Sequence, residues 1–318
     1  MSTVDAEPIA RLETNLSKVI RGKEESIRLV VLSLLAGGHV LLEDMPGTGK
    51  TTLAKSIARS IAGEFRRIQF TPDLLPADIK GSSFYRPTEG VFEFREGPIF
   101  GNVILADEIN RTSPRTQSAL LEVMSESQVT VEGHRRELPR PFFVIATQNP
   151  SEYHGTYPLP EAQLDRFACR VQLGYPSHDD ERDMLYDQNY THPLDRIEAV
   201  LDTNDILAMQ ARVREVKVDT AVAEYLLRLI DAIRVDPRLR LSLSPRASLM
   251  LYRMAQARAF SLQRVDATGT GYTLPEDVRA LAPFVLCHRL QLDTKAKYAG
   301  ITNADVVEDA LDAVPVPR

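Results

Sequence analysis

The chain has 318 residues, enough for about two domains and a sizeable core. Its hydrophobic fraction of 43%, charged fraction of 26% and net charge of -6 suit a soluble globular protein and argue against a uniformly basic nucleic-acid surface. No apolar run approaches the ~20 residues that would insert into a membrane.

In chain order, Met1-Ser2-Thr3-Val4-Asp5 is polar and acidic and has no signal-peptide character, which implies a cytoplasmic protein. Val40-Leu41-Leu42 reads as a buried strand. It runs into Glu43-Asp44-Met45-Pro46-Gly47-Thr48-Gly49-Lys50-Thr51-Thr52, and a helix is expected from Lys50 to about Ala62. This is the pattern of a phosphate-binding loop. Glycines let backbone N–H groups face phosphate oxygens, Lys50 brings a positive charge, Thr51 a hydroxyl for Mg²⁺, and the helix start its positive dipole end. The strict motif wants Gly where Asp44 stands. Taken alone, a Gly-containing turn before an ordinary helix would read the same way.

Further apolar runs follow at Ile68-Gln69-Phe70, Val103-Ile104-Leu105-Ala106, Phe142-Phe143-Val144-Ile145-Ala146 and Val171-Gln172-Leu173, with helices such as Arg115 to Ser125 between them. Near-continuous hydrophobicity suits parallel strands buried on both faces, so the expected class is doubly wound α/β. The third run ends in Asp107-Glu108, placed to serve Mg²⁺ and an attacking water. The fourth ends in Thr147-Gln148-Asn149-Pro150. Asn149 is there either a turn residue or a polar group at the ligand-binding carboxyl edge of the sheet. Two hairpins interrupt the alternation. Ser82 to Pro98 carries Phe84, Tyr85, Val91, Phe92 and Phe94 around Glu89-Gly90, and Gln128 to Leu138 turns at Glu132-Gly133-His134. The aromatics would either grip a partner or staple the hairpin to the domain. His134 and His154 read as turn or surface residues. Cys169 and Cys287 lack metal-ligand spacing and read as reduced structural thiols.

After Tyr175-Pro176 strand-like runs stop. Val218, Val222, Leu226, Leu229 and Ile233 recur at helical spacing, as do Leu249, Tyr252, Ala255 and Ala259 after the helix start Ser244-Pro245. These stripes are expected to be core. Leu274-Pro275-Glu276-Asp277 opens another helix. The division is therefore 1–176 for an α/β nucleotide-binding domain and 177–318 for an all-α domain.

These motifs together resemble the MoxR family of AAA+ ATPases. Residues 43–51 are similar to its Walker A, Leu105-Ala106-Asp107-Glu108-Ile109-Asn110-Arg111 to its Walker B, Ala146 to Pro150 to sensor 1, and Ser244-Pro245-Arg246-Ala247 to sensor 2. The run from Gly155 to Phe167, ending Leu164-Asp165-Arg166-Phe167, resembles a family signature. The resemblance spans about Val19 to Leu290. It implies a sheet order of 5-1-4-3-2, a helix-2 insert hairpin at residues 82–98 and an α-helical lid. It also implies the cofactors ATP and Mg²⁺. Gly22, Pro46, Gly47, Thr48, Gly49, Lys50, Thr51, Thr52 and Asp107 would bind nucleotide, with Thr51 and Asp107 beside the metal. Glu108 would be the general base, and Asn149 would hold water or the γ-phosphate. Arg166 would be an arginine finger reaching a neighbour's nucleotide, its plainer alternative being a salt bridge to Asp165. Arg246 would be the sensor 2 arginine, in cis or in trans. Arg21 and Lys23 flank Gly22 where related enzymes often carry Val and Gln.

The implied function is a Mg-ATP-hydrolysing ring, expected to be hexameric, that remodels or matures protein complexes with a separate von Willebrand factor A domain partner. A nucleic-acid motor or regulator is the alternative, and the acidic charge and lack of an appended DNA-binding domain speak against it. A nucleotide-gated scaffold is the third reading; the full catalytic set disfavours it.

Overall fold

A computed structural model describes residues 7–150, 156–187 and 193–317. It opens with helices α1 (Glu7–Ser17) and α2 (Glu24–Leu35). α2 buries Ile27, Leu29, Val30, Val31, Leu32, Leu34 and Leu35, so it is apolar nearly all round. Such a run shows little 3.6-residue contrast, which is why its sequence does not announce a helix.

The next elements alternate: β1 (Val40–Glu43), α3 (Lys50–Ser60), β2 (Phe65–Gln69), α4 (Pro76–Lys80), the hairpin β3 (Gly81–Arg86) and β4 (Val91–Glu96), β5 (Val103–Asp107), α5 (Pro114–Glu126), the hairpin β6 (Gln128–Val131) and β7 (His134–Glu137), β8 (Phe143–Gln148), α6 (Glu161–Leu164) and β9 (Cys169–Val171). The sheet runs β2-β5-β8-β1-β9, parallel throughout. Counting these five strands in chain order gives 5-1-4-3-2, the AAA+ order. Every residue of β5 is buried, as a central parallel strand requires. The edge strand β2 begins at Phe65, earlier than Ile68, because exposed Arg66 and Arg67 break the apolar pattern there. β9 ends at Val171 rather than extending through Leu173. The N–H groups of Leu173 and Gly174 go instead to the Asp44 carboxylate, at 2.5 and 2.9 Å.

His39, just before β1, is buried and fixes the sheet from inside. Its Nδ1 accepts from the Val144 N–H at 3.1 Å, and its Nε2 faces the Met124 carbonyl at 3.0 Å. Burial pushes its pKa down to about 4 from 6.5. The unfolded chain then binds the proton more readily, so this contribution is complete above pH 6.5 and is lost as pH falls from 6.5 toward 4. Stability should drop by on the order of 3 kcal/mol across that window, with buried His288 adding in the same sense. Denaturant melts of wild type and His39→Gln at pH 7.5 and 4.5 check this. The variant should be less stable at pH 7.5 and show a shallower pH slope, and equal slopes would contradict it.

Beyond β9 come α7 (His178–Asp187), α8 (Thr203–Glu215), α9 (Thr220–Arg234), β10 (Leu239–Leu241), α10 (Pro245–Ser261), α11 (Pro275–Leu286), β11 (Gln291–Leu292), α12 (Thr294–Tyr298) and α13 (Asn303–Ala313). This lid is helical apart from the short antiparallel β10–β11 ladder. Ser244 caps α10, its hydroxyl accepting from the Arg246 and Ala247 N–H groups, with Pro245 at the first helical position. One expected core residue is misplaced: Leu249 is 60% exposed, whereas Ala247, Leu251, Met254 and Ala255 form the buried stripe. One hydrophobic cluster runs from α1, α2 and α3 across one sheet face into α8–α11 and α13. A second lies on the opposite face with α5.

The two hairpins are joined. The Ser83 hydroxyl donates to Glu132 at 2.6 Å, and the Arg136 guanidinium lies 3.7 Å from the Phe94 ring centroid. Phe94 also meets Phe100 edge-on, so it is the staple. Phe84, Tyr85, Val91 and Phe92 are exposed. His134 sits exposed at the start of β7, and His154 lies outside the described residues.

Candidate functional site

β1 delivers the chain to the carboxyl edge of the sheet, where it must turn sharply into α3. Gly47 and Gly49 make that turn at φ 84° and 92°, conformations a side chain would strain. Gly49 is the N-cap of α3, so the backbone N–H groups of the first turn and the positive end of the helix dipole face one cavity. The Lys50 ammonium folds back on the loop, donating to the Asp44 and Met45 carbonyls at 2.7 and 2.9 Å. Burial lowers its pKa, against the opposing pull of Asp44, Asp107 and Glu108.

That cavity, about 360 Å³, is lined by Pro46, Gly47, Gly49, Lys50, Thr51, Thr52, Arg67, Asp107, Glu108, Thr147 and Asn149. Three parallel strands thus bring their tips to one phosphate loop, as expected at the carboxyl edge of such a sheet. A second cavity of about 370 Å³ shares Pro46, Gly47, Gly49 and Thr52 with it. Thr48, Val19, Ile20, Arg21, Lys23, Tyr175 and Met184 also line this second space. Gly22 lies between lining residues, and a Cβ on it would collide with the Asp180 carboxylate of α7. Arg21 pairs with Asp183 at 3.6 Å, and Lys23 donates to the Tyr175 carbonyl at 2.7 Å. The two unusual cations therefore tie the N-terminal segment to α7 and to the Tyr175 backbone before it.

Asp44 has a structural answer. Its carboxylate is turned away from the phosphate cavity and receives the two N–H groups beyond β9. Asp44→Gly would recreate the strict motif yet strand both donors, a loss of about 1–3 kcal/mol. A lower melting temperature for Asp44→Gly is the expected result, and an unchanged one would contradict this account.

At the tip of β5, Glu108 adopts a left-handed conformation, φ 57° and ψ 49°. A non-glycine residue held there is the kind of strain that accumulates at functional sites. Its N–H donates to the Thr147 hydroxyl at 2.8 Å, and that hydroxyl donates to Asp107 Oδ1 at 2.6 Å. The Glu108 carboxylate accepts from Gln69 Nε2 at 2.6 Å and pairs with Arg111 at 3.2 Å. Arg67 in turn donates to Asp107 Oδ2 at 3.1 and 2.6 Å. Arg67, Gln69, Thr147 and Arg111 were not singled out in the sequence. The one available signal was that Arg67 and Gln69 stand two apart on β2, which puts two polar side chains on one face of an edge strand.

The Thr51 hydroxyl, in the first turn of α3, and the Asp107 carboxylate, at the end of β5, are hard oxygen donors lining the same cavity. That donor chemistry fits Mg²⁺ shared with phosphate oxygens and water. Among the described residues no group of three or more His, Cys, Asp or Glu forms a self-sufficient metal site.

Arg166 and Arg246 line neither cavity. Arg166 precedes β9 rather than following a strand tip. It therefore lies at the amino edge of the sheet, across the strands from its own phosphate loop. Its guanidinium donates to the Leu121 carbonyl at 2.8 Å and to the Ser125 hydroxyl on α5. Asp165 is engaged elsewhere: Ser244 donates to it at 2.7 Å, Arg289 at 3.0 Å, and Arg246 pairs with it at 3.8 Å. Burial and the nearby Arg246 charge both lower the Arg166 pKa.

Comparison with known proteins gives a consistent result. A model of the "ATPase family associated with various cellular activities (AAA)" matches residues 39–169, and an "AAA lid domain" model matches 231–310. The chain is 40% identical to Chaperone MoxR1 of Mycobacterium tuberculosis, over 95% of this chain and 81% of that protein. It is 30% identical to Protein MoxR of Methylorubrum extorquens, over 97% and 95%. It is 48% identical to YeaC of Bacillus subtilis, over 95% and 93%. A crystal structure of a Cytophaga hutchinsonii protein, provisionally described as an ATPase, superposes with a TM-score of 0.89 at 35% identity, covering 98% of this chain and 96% of that one.

Proposed function

The chain belongs to the MoxR family of AAA+ ATPases, and from that premise we propose that it hydrolyses Mg-ATP at the β1–α3 loop and works as an oligomeric, chaperone-like remodeller of protein complexes. One observation carries the reading. The phosphate loop, the Asp107-Glu108 pair and Asn149 converge on one cavity, while the two arginines suited to the same chemistry stand across the sheet.

In this reading the N–H groups of Gly47 to Thr51 and the Lys50 ammonium hold the phosphates, and the adjoining space beside Gly22 takes the base. Thr51 and Asp107 would hold the cation, which when bound supplies charge stabilisation at the β- and γ-phosphate oxygens. Glu108 accepts the proton of the attacking water, and Asn149 orients that water or the γ-phosphate. Arg166 and Arg246 serve the nucleotide of an adjacent subunit, so the active site is completed by assembly, in a ring we take to be six-fold. The boundary between the nucleotide-binding unit and the lid is placed at 176/177. The exposed Phe84, Tyr85 and Phe92 support a contact with a client or with a separate von Willebrand factor A domain partner. Among the described residues no helix is long and apolar enough to cross a membrane.

The direct test is phosphate release from ATP with Mg²⁺ and again after chelation. Steady turnover that EDTA abolishes is expected. No release at any protein concentration would overturn the reading.

A further inference from the structure

Asp165 occupies an unusual place. It is the residue before Arg166, and its carboxylate gathers three side chains from two segments distant in sequence, the start of α10 and the turn after α11. The Ser244 hydroxyl, cap of α10, donates to Oδ2 at 2.7 Å. Arg289, just after α11, donates from Nε to Oδ1 at 3.0 Å. Arg246, two residues into α10, pairs with Oδ2 at 3.8 Å.

Arg289 is itself almost wholly buried, with a side chain 1% exposed. Its other N–H groups go to the carbonyls of Asp165, Phe167, Ala168 and Val285, so it grips the backbone of the Arg166 turn as well as the Asp165 carboxylate. A buried guanidinium with that many fixed partners is a rigid anchor. Arg166 and Arg246, by contrast, keep partly exposed guanidinium groups, with Arg246 3.8 Å from the carboxylate of the residue next to Arg166 and its charge felt at Arg166. Two like charges held together at a surface lower their mutual repulsion by taking an anion between them.

We propose that Asp165 is a positioning residue that clasps the lid helix α10 to the Arg166 turn, so that Arg166 and Arg246 are presented together, as one unit, to the phosphates of a neighbouring subunit. The inference rests on the assembly reading above and adds to it the device that sets the spacing of the two arginines. The lid is thereby fixed to the arginine edge of its own subunit. A shift of about 1 Å in such a pair is enough to cost on the order of 10²-fold in rate.

The test is Asp165→Asn, which removes the charge and keeps the shape. Its turnover should fall at least about tenfold while its ATP affinity stays within about twofold of wild type. Mixing it with Lys50→Ala should raise turnover above the sum of the two alone, because the Lys50→Ala subunit brings an intact arginine edge to an intact phosphate loop. Arg166→Ala mixed with Lys50→Ala is the parallel arm. If that pair recovers and the Asp165→Asn pair does not, or if Asp165→Asn alone turns over normally, the clasp is refuted while assembly stands. If the Arg166→Ala pair fails as well, the assembly reading falls and the clasp with it. Should Asp165→Asn not fold, Ser244→Gly decides. Glycine is tolerated at a helix N-cap, so the variant loses the hydroxyl, with its link to Asp165 and its two cap bonds, and keeps α10 together with Arg246 and Arg289. A loss of about threefold or more, rescued by Lys50→Ala, supports the clasp, and normal turnover overturns it.

Discussion

Arg166→Ala should bind ATP as wild type does and hydrolyse it about 10³–10⁵-fold more slowly. The expectation comes from placement. Arg166 stands at the amino edge of the sheet, and the phosphate loop leaves the carboxyl edge of adjacent β1, so the guanidinium does not share a cavity with its own Lys50. Its removal therefore spares nucleotide binding. It also removes two hydrogen bonds to α5, so a melt must accompany the assay, and a small loss of stability is expected. Mixed with Lys50→Ala, the variant should recover turnover. Lost ATP affinity in Arg166→Ala would mean the arginine acts within its own subunit.

Glu108→Gln is expected to lower turnover by about 10²–10⁴-fold and leave ATP bound. The substitution keeps an acceptor for Gln69 and leaves Asp107 with Thr147 and Arg67, so the Asp107 carboxylate is untouched. What disappears is the basic oxygen. The left-handed backbone of Glu108 is held by the Thr147 hydroxyl through the main chain, and Gln can adopt it as Glu does. Rapid filtration with labelled ATP would show the trapped nucleotide, and turnover near the wild-type rate would remove Glu108 from the mechanism.

The parts of the site legible in the sequence are those written in contiguous residues. The loop at 43–52, the Asp107-Glu108 tip and Asn149 each follow an apolar run, and parallel strands bring their carboxyl ends together without further information. Asp44 looked like a blemish in a motif. Its role depends on Leu173 and Gly174, more than a hundred residues away, and only the fold could reveal it. Arg67 and Gln69 stayed hidden for a related reason. They lie on an edge strand whose polar face reads as a break in hydrophobicity, although that face turns toward Asp107 and Glu108. The α2 helix does not show in the sequence because burial on nearly all sides erases its period. Leu249 was misplaced because a stripe chosen by spacing alone can be rotated by one position around the helix. In the sequence Asp165 offers itself only as a partner for Arg166, since neither Ser244 nor Arg289 is near it.

The central claim is that the active site is completed between subunits. ATPase rate measured against protein concentration, with molar mass from light scattering with and without Mg-ATP, tests it most directly. The account predicts a specific activity that rises with assembly and reaches a plateau when the oligomer is complete. A concentration-independent rate from a monomer would contradict it.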